Sequence, residues 1–160
     1  MALPELVLQI PDWPPDPILN AERYRGVTLR RILAYLIDAV ILGLLLIGGH
    51  ALLAVLTVMS FGLLWPLHAL FLPIVVALAY HSLLIGGPGA ATIGMRIVGI
   101  RVHTMLGGRP SLLQAFVQTV CFYLTTGFSG GILLLVALFN PQRRTLHDYL
   151  AGTLILRDEL

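Results

Sequence analysis

The sequence predicts an all-α integral membrane protein. It reads as a two-helix transmembrane hairpin followed by a third apolar helix or a re-entrant hairpin, with short interfacial helices that leave room for a small two-stranded cytoplasmic pairing. Three observations carry this. The chain has 160 residues, 58% of them hydrophobic and 11% charged, against roughly 45–50% and about 25% in an ordinary soluble domain. Its apolar residues gather in three long runs, 32–59, 63–85 and 112–139. No basic residue lies between Ile32 and Met95 or between Leu112 and Asn140. With a mean hydropathy of +0.90, most of the chain belongs in lipid rather than around a soluble core.

All ten basic residues are Arg. The net charge of +2 therefore reports arginines clustered at membrane edges, which suits an anionic lipid surface and not nucleic acid. Cys121 is alone, so no internal disulfide can form, and its apolar setting reads as a packed thiol.

Residues 1–27 form a Pro-rich arm. Its first 20 residues hold Glu5, Asp12, Asp16 and five prolines, with no basic stretch leading into a short apolar core. A cleavable signal peptide is not expected. Trp13 with Pro14-Pro15 suits the headgroup level, where amphipathic aromatics settle, or else belongs to a loose tail. The run from Ile32 to Met59, preceded by Arg23, Arg25, Arg30 and Arg31, is long enough to cross a hydrocarbon core of about 30 Å with tilt to spare. Ser60-Phe61-Gly62 supplies a turn. Leu63 to Ile85 is the second span, and Pro73 inside it predicts a kink around 69–73. The turn is uncharged and both outer ends carry Arg, so the positive-inside rule puts both ends of the hairpin in the cytoplasm.

Gly86-Gly87-Pro88-Gly89 breaks the helix. Ala90 to Gly99 then suits a short surface helix carrying Arg96, Ile100 to His103 is strand-like, and Gly107-Gly108 is a turn. Ser111 with Gln114 before the third run is a capping-box signature. A single span over Leu112–Phe139 would put Arg143, Arg144 and Arg157 on the side opposite every other Arg. The stretch from Thr125 to Gly131 breaks the run near its middle, and two halves of about 13 residues would each reach only about 20 Å. Re-entry to the cytoplasmic side is therefore favoured, with its irregular backbone shielded by the other helices. Thr145 and Asp148 resemble another helix start, Gly152 a stop, and Thr153 to Arg157 a strand able to pair with 100–103.

These stretches resemble the RDD family of small prokaryotic membrane proteins, named for one Arg and two Asp. The matching segments are Arg30-Arg31-Ile-Leu-Ala34-Tyr-Leu-Ile-Asp38, Thr92-Ile-Gly94-Met-Arg96-Ile-Val-Gly99-Ile-Arg101-Val102, Gly107-Gly108-Arg109-Pro110-Ser111, and Asn140-Pro-Gln142-Arg143-Arg144-Thr-Leu146-His147-Asp148-Tyr-Leu-Ala151-Gly152-Thr153. They run in order through residues 28–157, which makes that stretch an RDD-type membrane domain, with 158–160 as a tail. The resemblance implies that Arg31, Asp38 and Asp148 are the eponymous residues. Met95 departs from it, standing where the family often has Lys. What the resemblance implies about activity is limited: some members are proposed to exchange cations for protons, and others occur within larger proteins or membrane complexes.

An isolated Asp38 inside an apolar run costs roughly 2.5–3.5 kcal/mol on insertion scales, so it is expected to be paired, functional or both. Arg31 lies seven residues earlier, on the same helix face but about 10 Å away along the axis. A tight ion pair between the two is excluded, and Arg31 is free to snorkel outward. Folding the hairpin about residue 61 sets Asp38 near residue 84, with His81 and Ser82 as expected neighbours and Arg96 or Arg101 as further ones. Asp148 fits the first turn of its helix, at the positive end of the dipole, and can answer Arg143, Arg144 or Arg96; His147 lies beside it. A buried structural lock is the leading reading of Arg31, Asp38 and Asp148, and a proton or cation site the alternative. His50 and His68 sit in apolar runs with no ligand pattern, so no metal site is expected. Gly86, Gly87 and Gly89 are followed by no Lys-Ser/Thr, which argues against a phosphate loop. No nucleophile, base and oxyanion set can be assembled.

The expectation is thus a non-enzymatic protein of the bacterial inner (cytoplasmic) membrane, with its N-terminus cytoplasmic and no cofactor. It would support or assemble with other membrane proteins or with itself. A small cation/proton exchanger using Asp38 is the alternative.

Overall fold

A computed structural model describes residues 13–158. Residues 1–12 of the Pro-rich arm, and all of the tail except Asp158, lie outside the described residues. The short helix α1 (Ala21–Tyr24) leads into α2 (Val27–Met59), whose 33 residues extend about 50 Å at 1.5 Å per residue. The chain reverses at Phe61 and Gly62, with φ of 53° and 86°, and the Gly62 N–H donates to the Thr57 carbonyl at 2.8 Å. It returns through a π-helical turn, Leu67–Phe71, and α3 (Leu72–Ile85). The expected kink takes this form because Pro73, at the start of α3, has no N–H to donate back to residue 69. A wider turn just upstream accommodates the gap.

Helix α4 (Ile93–Ile97) follows the glycine loop, with Thr92 capping it by accepting the Met95 N–H. Strand β1 (Ile100–Thr104) runs antiparallel to β2 (Thr153–Arg157), Ile100 opposite Arg157 and Thr104 opposite Thr153. Between them lie α5 (Leu112–Ser129), a 3-10 segment Ile132–Leu138, and α6 (Leu146–Ala151). The Ser111–Gln114 capping box is present. The third run differs from the expected pair of half-helices: α5 continues unbroken past Thr125 to Ser129. Its hydroxyls permit this by bonding back to the preceding turn, Thr125 to the Cys121 carbonyl at 2.7 Å and Ser129 to the Thr125 carbonyl at 2.6 Å. The break falls at Gly130-Gly131, with φ of 58° and 89°, and the two helical pieces meet at 112°.

Helix α3 packs against both α2 and α5, while α4 lies on α2 and α6 on α5. The buried apolar core sits at one end of this bundle, where Val27, Ala34, Met95, Ile100, Val102 and Ile155 meet. Farther along α2, Val40, Leu44, Ile47, Leu52 and Val55 face outward. Outward-facing apolar side chains along a long helix are what lipid contact requires. Two helices, Ala21–Met59 and His68–Ile85, are long and apolar enough to cross a membrane. The molecule therefore has a greasy shaft and, at one end, a compact polar head of α4, α6 and the two-stranded sheet. Trp13 belongs to this head: its indole N–H donates to the Thr104 carbonyl at 2.9 Å and its ring packs against His103. It is not part of a loose tail.

Candidate functional site

Asp38 lies one helical stretch inside the head, 2% exposed. Its Oδ1 accepts from the Tyr80 hydroxyl at 2.6 Å and from the Gly94 backbone N–H at 2.8 Å; its Oδ2 accepts from the Thr92 hydroxyl at 2.6 Å. One carboxylate thus ties α2 to α3 and α4 at once. The approach of α4 is possible because residue 94 is Gly. A Cβ there would come within 2.3 Å of the Ala34 carbonyl oxygen and 2.9 Å of the Asp38 carboxyl carbon.

Arg31 makes a second centre. It does not snorkel outward; it is 2% exposed, and its Nη1 donates to Asp148 Oδ2 at 2.6 Å. The same oxygen accepts from the Thr145 backbone N–H at 2.9 Å and hydroxyl at 2.8 Å, while Oδ1 accepts from Gln118 at 3.1 Å. Asp148 is therefore both an N-terminal cap of α6 and the acceptor for a buried guanidinium. Burial alone would raise its pKa; the Arg31 charge and the Thr145 donors outweigh that and hold it below the ordinary carboxylate value.

His147 Nε2 lies 2.9 Å from the Thr145 hydroxyl, whose own hydrogen goes to Asp148. The ring therefore donates from Nε2, and its Nδ1 is buried without a hydrogen-bond partner among the described residues. Burial pushes His147 down from 6.5 to about 4, against the pull of Asp148. It is neutral at physiological pH.

The expected neighbours of Asp38 lie elsewhere. His81 pairs its Nδ1 with the Ala77 carbonyl at 3.1 Å, and the Ser82 hydroxyl is buried with no partner among the described residues. Arg96 donates to the Ala91 carbonyl at 3.1 Å and lies over Gly89, where a Cβ would sit 2.5 Å from its Nη2. Arg101 pairs with Asp158 at 2.7 Å. Arg143 donates to the Leu138 carbonyl. Arg144 donates to the carbonyls of Thr153 and Asp148 and stacks 4.0 Å over Tyr149. None of these four arginines reaches either carboxylate. The sequence does not place Tyr80, Thr92 or Gly94 beside Asp38, although Thr92 carries a signal as a capping residue ahead of α4.

His50 and His68, far apart in sequence, bring their rings to 5.6 Å. Each Nδ1 is occupied, by the Leu46 carbonyl and by the Thr57 hydroxyl. Among the described residues no three His, Cys, Asp or Glu side chains come close enough to hold a metal.

A long apolar shaft, a head at one end, and two buried carboxylates between them, Asp38 held by neutral donors and Asp148 by Arg31, define a membrane-type protein braced by internal polar links. The sequence profile of the RDD family matches residues 25–152, and the chain belongs to that family. It is similar to the uncharacterized protein YckC of Bacillus subtilis (strain 168), 34% identical over 94 residues, which is 56% of this chain and 62% of that protein. The chain thus spans less than two thirds of that relative's length. No solved structure matches it.

Proposed function

We propose that this chain is a non-enzymatic integral membrane protein of the bacterial cytoplasmic membrane. In this reading it supports or assembles with other membrane proteins, and the Asp38 brace and the Arg31–Asp148 pair keep the head rigid for that task. The state of Asp38 carries the proposal. A carboxylate that is 2% exposed and engaged by three donors from two other elements is organised as a brace. An exchange site would need to open to water and bind in turn a proton and a cation. The outward faces also suit assembly: α3 and α5 frame an almost wholly apolar groove of about 750 Å³, lined by Val75, Ala79, Leu112 and Phe116 among others. The arginines gather at the head end, which by the positive-inside rule sets the head, both termini of the hairpin and the tail on the cytoplasmic side. The segment 112–139 then enters the bilayer and returns.

The Asp38→Asn variant tests this. Asn loses the charge that all three donors meet and has one oxygen where the carboxylate has two, with the Gly94 N–H fixed in place, so a brace loses much of its hold. The expected result is a marked fall in thermal stability in detergent, with no pH-coupled cation flux from the parent protein in proteoliposomes. Flux in the parent that vanishes in a stably folded Asp38→Asn protein would replace the brace with an exchanger.

A further inference from the structure

The head carries a second polar feature that the internal links leave unused. Arg25, Arg30 and Arg157 line an open groove of about 500 Å³, floored by Gly26 and the start of α2. No described carboxylate lies within ion-pair distance of these three arginines, although Arg31 and Arg101 are paired with Asp148 and Asp158. Arg30 is anchored by donating to the Val98 carbonyl, Arg157 makes one long contact to the Glu22 carbonyl at 3.5 Å, and Arg25 is exposed. Helix α2 begins here with Gly26 as its N-cap, no side chain capping it and no acid in its first turn, so its unpaired N–H groups add positive potential.

The rest of the groove wall has the opposite character. Leu29, Leu33 and Ile97 are 62%, 44% and 65% exposed; the two leucines continue from the arginines along α2 toward the shaft, and Ile97 closes the wall from the end of α4. From Gly26 to Leu33 is seven residues, about 10 Å of helix. A concentrated positive site with an apolar track leading from it into the membrane-facing surface matches an amphiphile that carries its negative charge at one end.

We infer that this groove seats an anionic phospholipid, with the headgroup phosphate between Arg25, Arg30 and Arg157 and an acyl chain along Leu29, Leu33 and Ile97. Bidentate guanidinium contacts suit a phosphodiester, and basic clefts at this membrane level are where anionic headgroups collect. The site is separate from both Asp38 and the Arg31–Asp148 pair, so it stands or falls independently of the proposed function.

The experiment uses the full chain in mixed micelles and counts retained lipid by native mass spectrometry, with phosphatidylglycerol and phosphatidylcholine offered in equal amounts. The expected result is preferential retention of phosphatidylglycerol. Arg25→Gln should weaken it about fivefold, and Arg25→Gln with Arg157→Gln about twentyfold or more, since one arginine near an anionic surface is worth about 1 kcal/mol. The Arg25 side chain makes no hydrogen bond to a described residue, and its backbone N–H, which closes α1 on the Ala21 carbonyl at 2.9 Å, is untouched by the change, so the single variant leaves the fold intact and reads the site by itself. Inorganic phosphate at millimolar concentration should not displace the lipid. Equal retention of the two lipids, unchanged retention in Arg25→Gln, or displacement by inorganic phosphate would each overturn the assignment.

Discussion

Arg31 Nη1 lies 2.6 Å from Asp148 Oδ2, joining residues 117 positions apart. That one contact fastens the last helix to the first long one across nearly the whole chain. Because both side chains are almost fully buried, removing either partner strands the other. Such a loss costs about 3–5 kcal/mol. Asp148→Asn and Arg31→Gln are each expected to lower unfolding free energy by that order, read by denaturant titration in detergent. Replacing both with apolar residues, Arg31→Met with Asp148→Leu, should recover much of the loss. Two single variants as stable as the parent would show that α6 is held by something else.

His147 and Asp148 divide the acid response between them. Folded His147 stays neutral down to about pH 4, whereas the unfolded chain takes up a proton below 6.5. The unfolded state binds more protons in that window, so stability is full above about 6.5 and falls as the pH drops toward 4, by roughly 3 kcal/mol in all. Asp148, whose pKa is held below the ordinary 3.8, adds a further loss only at lower pH. Thermal melts across pH 7 to 4 should slope downward in the parent. His147→Gln should flatten that slope while keeping the steeper acid limb. An unchanged slope would place the titrating group elsewhere.

What the sequence could show depended on whether the signal was local. The capping pairs Ser111–Gln114 and Thr145–Asp148, the Gly152 stop and the two strands were legible because each depends on residues a few positions apart. The level of Asp38 on α3 was legible to within about a turn, residue 84 against the observed Tyr80. Its face was not. Folding the hairpin fixes a level on α3 and not a helical phase, and it is Tyr80 rather than His81 or Ser82 that points at the carboxylate. The inward turn of Arg31 was hidden for another reason: its partner is set by the return path of 130–145, which no periodicity encodes. The sequence also suggested one polar lock where the structure has two, because three charged residues in one family signature do not reveal which of them touch.

Gly94 is where the brace around Asp38 should prove least tolerant. A methyl there meets the Ala34 carbonyl oxygen at 2.3 Å, which is backbone and cannot swing aside. Helix α4 would have to lift from α2, breaking the Gly94 N–H and Thr92 hydroxyl contacts to the carboxylate. Overpacking alone costs about 1–3 kcal/mol, and the lost hydrogen bonds to a buried charge add to it. Gly94→Ala is therefore expected to destabilise at least as much as Thr92→Val, measured by thermal unfolding in the same detergent. Gly48→Ala, on α2 with nothing within 4 Å of its Cβ position, should be close to neutral. Comparable effects at the two glycines would mean that α4 is not tightly seated.

The path of the third apolar run yields the sharpest topological expectation. Gln114, at the start of α5, donates to the Ala151 carbonyl at 3.3 Å, and Gln118, one turn on, donates to Asp148 at 3.1 Å. The residues just before Leu112 and those after Phe139 therefore lie at the same end of the molecule, and the pairing of β1 with β2 requires it. A plain third span would separate them by the thickness of the bilayer. In a Cys121→Ser background, single cysteines at Leu106→Cys and Gln142→Cys should react with an impermeant maleimide from one side of oriented vesicles. Phe61→Cys, at the fully exposed hairpin tip, should react only from the other. Labelling of Leu106→Cys and Gln142→Cys from opposite sides would require the sheet and the Arg31–Asp148 pair to come apart in the membrane, and with them the brace itself.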